Sequence, residues 1–480
     1  MRRILSLALL PALTACASVR NAVWTASDVA PSGQAMGDHR VREAIAGGRF
    51  DSALVRGAPH DALLRTLYAG TIAYYAGRWD ESAAALAQAS ELADDRYTKS
   101  LTRGAAALFS NDRVLPYVPG RTERLLVHYY AMLARARNDD TSGAAVEARR
   151  LSALLERYRE GRGDDEAPAH AALHYAAGAV FEMAGERNDA DVAYRNAAAL
   201  AGDSTYVAVV APAVAPPPPS RVLATRSLVA NRRSARPAPV AAPAPTGEVV
   251  VLVEHGWVAH RVEDALVISL DSGDARVFAG GRGRRHRHGD ADPTGAAERI
   301  LAAMEDRADT LGWRRRRGGV RVGRGDARML SVAWPRLAAP QREARCIAVV
   351  ADSLPAVKVR ALANLSDAAA ADFRRQAVFM LARTMVRAAA KDAVSRTAKK
   401  KGGEVLGAIA SVGTSLLEQA DLRSWQLLPN DIAVVRLRLP IGAHALHAVV
   451  EDHRGVPRRV ALGDVVVREH GVALVTARDW

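Results

Sequence analysis

Between Ala211 and Thr246 the chain carries Pro212, Pro216 to Pro219, Pro237, Pro239, Pro243 and Pro245. Proline fixes φ and removes a backbone donor, so this stretch neither continues a helix nor joins the interior of a sheet. It splits the 480 residues into two parts, in keeping with a prior of about 100–200 residues per domain. As extended polyproline II, at about 3.1 Å per residue, it reaches on the order of 100 Å, which predicts two independently folded modules. The expected fold is α + β and multidomain. A leader and tether occupy 1–16 and 17–37, and an all-α array covers 38–204. A Pro-rich linker follows over 205–246, then an α+β domain over 247–480 with a long helix, antiparallel strands and a basic insert near 280–292.

The first module repeats. Leu63 to Ala93 reads as two helices joined at Gly77-Arg78-Trp79-Asp80, with small residues at Gly70, Gly77, Ser82 and Ala89 where the helices cross. Ala171 to Leu200 has the same layout, with Gly178, Gly185, Ala190 and Ala197 small and Tyr194 large where the first copy has Leu86. A weaker copy runs from Glu123 to Glu156, with Asp139-Asp140 at its turn and no Gly there. This register resembles the tetratricopeptide repeat, and a generic bundle of α-hairpins is the alternative. Stacked repeats of this kind expose a concave groove for a peptide or protein segment. Tyr74, Tyr75, Tyr129, Tyr130 and Tyr175 fall on the helices that would line it. They are candidate partner-binding residues, against the alternative of core tyrosines whose hydroxyls reach solvent.

In the second module Glu248 to Glu254 is an apolar, β-branched run ended by His255-Gly256, and Trp257 to Val262 continues extended. Further strands are expected at Leu330–Trp334, Ala344–Ala351, Ile432–Leu439, His444–Glu451, Arg458–Leu462, Asp464–Arg468 and Val472–Thr476. Ser366-Asp367 reads as the cap of a helix over Ala368–Lys400, and the apolar stretch Glu404–Gln419 is expected to pack against it.

The chain opens with Arg2 and Arg3, then the apolar run Ile4–Leu10, then Leu13-Thr14-Ala15-Cys16, the layout of a secretory signal. The last four residues resemble a bacterial lipobox, which implies cleavage before Cys16, a diacylglyceryl thioether on its sulfur and an acyl chain on its new amine. Ala17 in place of Asp, by resemblance to enteric lipoproteins, implies the outer membrane, facing the periplasm. The apolar run is shorter than the ~20 residues a membrane span needs. With Cys16 lipidated, Cys346 is left alone, which excludes an intramolecular disulfide or CxxC site. The formal charge of +14 would fit nucleic acid in the cytoplasm. Outside it, the available polyanions are lipid headgroups, glycolipid phosphates and cell-wall carboxylates. No nucleic-acid partner is expected. Arg314, Arg315, Arg316 and Arg317 form the candidate contact with such an anionic surface. The tract Arg282–His288 reads as a solvated loop.

Asp421, Arg423, Trp425, Leu428 and Pro429, followed by Ile432, Arg436, Leu439, Pro440 and Gly442, resemble the motif D-x-R-x-W-x-x-L-P-x-x-I-x-x-x-R-x-x-L-P-x-G. That motif is identified with a family of uncharacterised bacterial lipoproteins pairing tetratricopeptide-like repeats with a small α+β domain. The resemblance also takes in Glu123–Arg150, Gly247–Val262 and Leu365–Lys391, and the linker and arginine insert depart from it. Asp421, Arg423, Trp425 and Arg436 are therefore candidate residues, either structural or ligand-contacting. Asp421 pairing with an Arg423 stacked on Trp425 is the expected geometry.

The function these features predict is a lipid-anchored, periplasm-facing scaffold that binds a periplasmic or outer-membrane protein and serves envelope or cell-wall assembly. A cell-wall hydrolase and an accessory protein of glycolipid or polysaccharide export are the alternatives. No GxSxG elbow, HExxH helix or P-loop is present, so no catalytic residue, cofactor or metal is expected.

Overall fold

The computed structural model describes residues 33–102, 116–201, 245–270, 275–279, 328–338, 344–352, 356–377, 380, 420–452 and 455–480. The lipobox with Cys16, most of the Pro-rich stretch, the insert at 280–292, Arg314 to Arg317, and the later part of the long helix with the apolar stretch after it lie outside those residues. The described residues form a mixed α + β structure, helices first and sheets after.

The helices come in hairpins: α1 (Gly33–Ala46) with α2 (Phe50–Gly57), α3 (Ala62–Tyr75) with α4 (Trp79–Thr102), α5 (Arg121–Arg137) with α6 (Thr141–Arg157), and α7 (Ala167–Met183) with α8 (Arg187–Ala201). One turn closes all four. A residue with positive φ stands two places before the second helix: Gly48 at 69°, Gly77 at 75°, Asp139 at 58° and Gly185 at 79°. The next N–H reaches back five residues, from Arg49 to Ala44, Arg78 to Ala73, Asp140 to Arg135 and Glu186 to Phe181. That 6→1 bond satisfies a carbonyl at the end of the first helix, as in a Schellman motif. The third copy lacks Gly because Asp tolerates the left-handed region better than most side chains do. The first hairpin adds a copy that the residue spacing does not separate.

Within the second and fourth hairpins the small residues work as expected. A Cβ on Gly70 would stand 2.8 Å from Leu86 Cγ, and one on Gly178 would stand 2.7 Å from the Tyr194 ring. Ser82 Oγ donates to the Gly70 carbonyl at 2.8 Å, tying the two helices where they cross.

The strands are β1 (Thr246–His255), β2 (Arg261–Leu270), β3 (Ala275–Ala279), β4 (Arg328–Leu337), β5 (Ala344–Ala351), β6 (Val357–Val359), β7 (Ala363–Asn364), β8 (Asp431–Pro440), β9 (Gly442–Asp452), β10 (Pro457–Val467) and β11 (Val472–Asp479); helix α9 spans 365–377 between β7 and β8. They form sheets of order β11-β1-β8-β7, β10-β9-β5-β6 and β3-β2-β4. Among the described residues the strand pairings are antiparallel, as expected, except that β1 runs parallel to β11. The two strands expected at 458–468 are one, with a bulge between Ala461 and Gly463. The helix cap is also corrected. Asn364 Oδ1 accepts from the Asp367 N–H at 3.1 Å, while Ser366 accepts from Ala259 N at 2.8 Å and donates to Asn430 Oδ1.

The first sheet is the middle layer of three. Val249, Val251 and Val253 pack with Ile347, Val349, Ala448 and Val450 of the second sheet. Val250 and Leu252 pack instead in a core shared with the helices. Burial on both faces explains why β1 reads as an unbroken apolar run rather than an alternating one. The shared core joins α1–α8, β1, β8, β11 and the segment around Trp425. The two parts of the chain thus meet across a common apolar interior, where the linker composition predicts independent modules.

Candidate functional site

The first sheet lies against the helical layer on the side where the tyrosines project. Tyr74 and Tyr75 end α3, and Tyr129 and Tyr130 sit one hairpin over on α5; Tyr74, Tyr129 and Tyr130 are 2%, 0% and 0% exposed. β1 offers them Glu254, which follows Val250 and Leu252 on the same face of the strand. Tyr75 donates to Glu254 Oε2 at 2.6 Å and Tyr129 to Oε1 at 3.1 Å. The Tyr75 and Tyr130 hydroxyls lie 2.8 Å apart, and Tyr74 donates to Thr476 of β11 at 2.9 Å. Burial pushes the Glu254 carboxyl above its usual range, and Arg478 and the tyrosine donors pull it back. Tyr175 lies beside Tyr194, 4.9 Å between ring centroids, under Arg436. The expectation of a groove lined by these tyrosines and open to a partner is therefore revised: the chain's own sheet fills it.

The motif residues hold that sheet in place. Asp421 takes two bonds of 2.8 Å from the Arg423 guanidinium, as the spacing predicts. The ring beside Arg423 is Tyr117, at 6.0 Å, and not Trp425. Asp61, the N-cap of α3, stands 3.7 Å from Arg423 Nη1. Trp425 turns inward and is 1% exposed. Its indole N–H donates to Thr71 of α3 at 3.0 Å and its backbone N–H to Glu123 of α5 at 2.7 Å. The next residue, Gln426, donates to Asp38 of α1 at 2.8 Å, and Tyr68 donates to the same carboxylate at 2.9 Å. Burial raises Asp38 to about 6 against the pull of Tyr68 and Arg42. Successive residues of one loop thus bind α1, α3 and α5.

Arg436 does the same on β8. It donates to Glu248 of β1 at 2.7 Å, to Glu182 of α7 at 2.9 Å and to the Tyr194 hydroxyl of α8 at 3.0 Å. Burial alone would lower its pKa; Glu182, Tyr194 and Tyr175 outweigh that and hold it above the usual arginine value. A further tie joins α9 to the helices. Arg375 grips both oxygens of Glu166 at 2.7 and 2.6 Å, and Arg374 pairs with Asp165. Asp165 and Glu166 are thus ion-paired across the junction. Asp140 caps α6 through Gly143 N at 2.8 Å.

Beneath the motif loop a cavity of about 40 Å³ opens between α5, β2 and α9, lined among others by Glu123, Arg261, Asp372, Phe373, Gln376 and Ser424. Both Glu123 oxygens are engaged, by Trp425 N on one side and by Gly120 N and Tyr117 on the other. Burial pushes this carboxyl up in spite of those donors. Asp372 accepts from Thr122 N at 2.7 Å and pairs with Arg375 at 2.5 Å.

Sequence reasoning does not single out Glu254, Glu248 or Arg261. The signal available for the first two is two carboxylates bracketing a strand too apolar to be exposed on either face. Cys346 is half-buried on β5. Among the described residues no group of three or more His, Cys, Asp or Glu is placed to hold a metal ion. No described helix is long and apolar enough to cross a membrane. Comparison with protein-family models, with curated proteins and with solved structures finds no match.

Proposed function

We propose that the chain is a lipid-anchored scaffold of the cell envelope, held at Cys16 in the outer membrane and facing the periplasm, whose tetratricopeptide-like hairpins present a rigid surface to a protein partner. The observation that carries the reading is the fourfold repeat of one helical hairpin with one turn geometry, since stacked hairpins build extended binding surfaces. The buried charged groups at the junction support binding over catalysis: Glu254, Glu123, Asp38 and Arg436 all spend bonds inside the chain. With the tyrosine side of the array covered, the partner meets the outer faces of the second helices, where Val146 is 44% and Val192 48% exposed.

Photo-crosslinking in intact cells tests this. A crosslinker at position 146 or 192 captures an envelope protein, while one at buried position 129 captures none. Turnover of cell-wall fragments by the purified protein alone contradicts the scaffold and supports the hydrolase alternative. Cys16→Ser moves the protein from the membrane to the soluble fraction; a variant that stays membrane-bound removes the anchor from the account.

A further inference from the structure

Arg261 stands at the start of β2 with its side chain in the cavity beneath the motif loop. It donates Nη2 to Gln376 Oε1 at 2.7 Å, and its guanidinium lies 5.8 Å from the Phe373 ring centroid. Glu123 is close enough to feel its charge but makes no ion pair with it. Among the described residues no carboxylate comes within ion-pair distance of Arg261. At the same junction Arg375, Arg423 and Arg436 each hold at least one carboxylate, and Arg261 does not.

The neighbouring acids are already committed. Glu123 is occupied by Trp425, Gly120 and Tyr117, and Asp372 by Thr122 and Arg375. In the same lining Ser424 Oγ is buried and has no hydrogen-bond partner. A cavity with one cation that has no ion pair among the described residues and one unmatched hydroxyl calls for an acceptor carrying negative charge. Its volume of about 40 Å³ exceeds the roughly 10–15 Å³ that one water needs and suits a carboxylate group, not a ring. Arginine pairs with carboxylate through two parallel N–H bonds, and Phe373 and Trp425 contribute apolar surface to the lining.

We propose that this cavity is a carboxylate-binding site, with Arg261 the charged ligand and Ser424 a hydroxyl donor, taking the carboxylate of a peptide end or of an acidic side chain. The site does not depend on the scaffold reading, since it asks only for a ligand with that group.

The test is isothermal titration of the full chain with three probes. They are a short neutral peptide with a free C-terminal carboxylate, the same peptide amidated, and an amidated peptide carrying one Asp. Binding of the free acid, lost on amidation, assigns a peptide end; binding of the Asp peptide assigns an acidic side chain. Arg261→Gln weakens either at least tenfold, Arg261→Lys restores part of the loss, and Ser424→Asp blocks the site by supplying an internal carboxylate. Thermal unfolding of each variant shows that the fold persists, and Arg261→Lys and Ser424→Asp keep the test decisive where Arg261→Gln does not fold. Equal binding of acid and amide, equal binding by wild type and Arg261→Gln, or no binding of any acid overturns the proposal.

Discussion

Arg436 concentrates the cost of joining two layers in one side chain. It is 7% exposed and its charge is met from both sides, by Glu248 of the sheet and Glu182 of the helices. Removing one member of such a group leaves the others charged and buried, which costs about 3–5 kcal/mol. Arg436→Met therefore lowers stability by that amount in urea unfolding, and adding Glu248→Gln and Glu182→Gln recovers part of the loss. If Arg436→Met leaves the urea midpoint unchanged, the interlayer role is wrong. The buried histidines set a pH dependence. Burial lowers His170, His174 and His260 to about 4 from a usual 6.5. Between those values the unfolded chain binds protons that the folded chain refuses, so their contribution to stability falls as pH drops from about 6.5 towards 4. Asp38 works in the opposite sense: raised to about 6 from 3.8, it holds a proton in the folded state and favours folding as pH falls, and Glu123 and Glu254, also raised by burial, act the same way. A single substitution isolates the histidine part. His174→Leu gains stability relative to the wild type as pH falls from about 7 to about 4.5, whatever the sign of the total; a difference between the two proteins that does not change with pH contradicts the assignment.

At the scale of elements the hairpin is the unit, and its two fixed points behave differently on substitution. Gly178→Ala drives a methyl into the Tyr194 ring, 2.7 Å from the new carbon, and costs about 1–3 kcal/mol by overpacking. Asp139→Gly relieves a side chain held at φ 58° and raises stability by roughly 0.5 to 1 kcal/mol. Thermal unfolding of the two variants should move in opposite directions; a shift of the same sign in both removes the distinction. Much of this layer is legible in the sequence. Gly70 with Leu86 and Gly178 with Tyr194 give the crossing points, and Gly77 and Gly185 give the turns. The hairpin at Gly48 escapes notice because α2, Phe50–Gly57, is short and ends on Gly57 where the second hairpin has Leu86. The bulge in β10 is equally hidden, since Gly463 reads as a break between strands until the partner strand shows the pairing resuming beyond it.

At the scale of the molecule the association of the layers is what the sequence conceals. Proline content at 212–245 states that helix and sheet do not continue through it; it says nothing of whether the parts on either side meet again. The information lies in Glu254 and Glu248, in the continuous apolar run of β1, and in the motif. Trp425 and Arg436 read from the sequence as strand pins or ligand contacts, and both turn out to bind helices more than two hundred residues away in the chain. Charge is divided as sharply. Acidic and basic residues nearly balance among the described residues, so the formal excess of +14 belongs to the segments outside them, Arg314 to Arg317 included. The expected contact of those segments with anionic lipid or glycolipid predicts vesicle binding that weakens as salt shortens the Debye length.

Helices and sheets share one interior keyed by Trp425, and hydrogen exchange of the full chain, compared with Trp425→Ala, tests this most directly. A shared interior predicts that amides of α3 and α5 and those of β1 and β8 lose protection together, by a common free energy. Loss confined to the sheet, with α3 and α5 as protected as in the wild type, would contradict it.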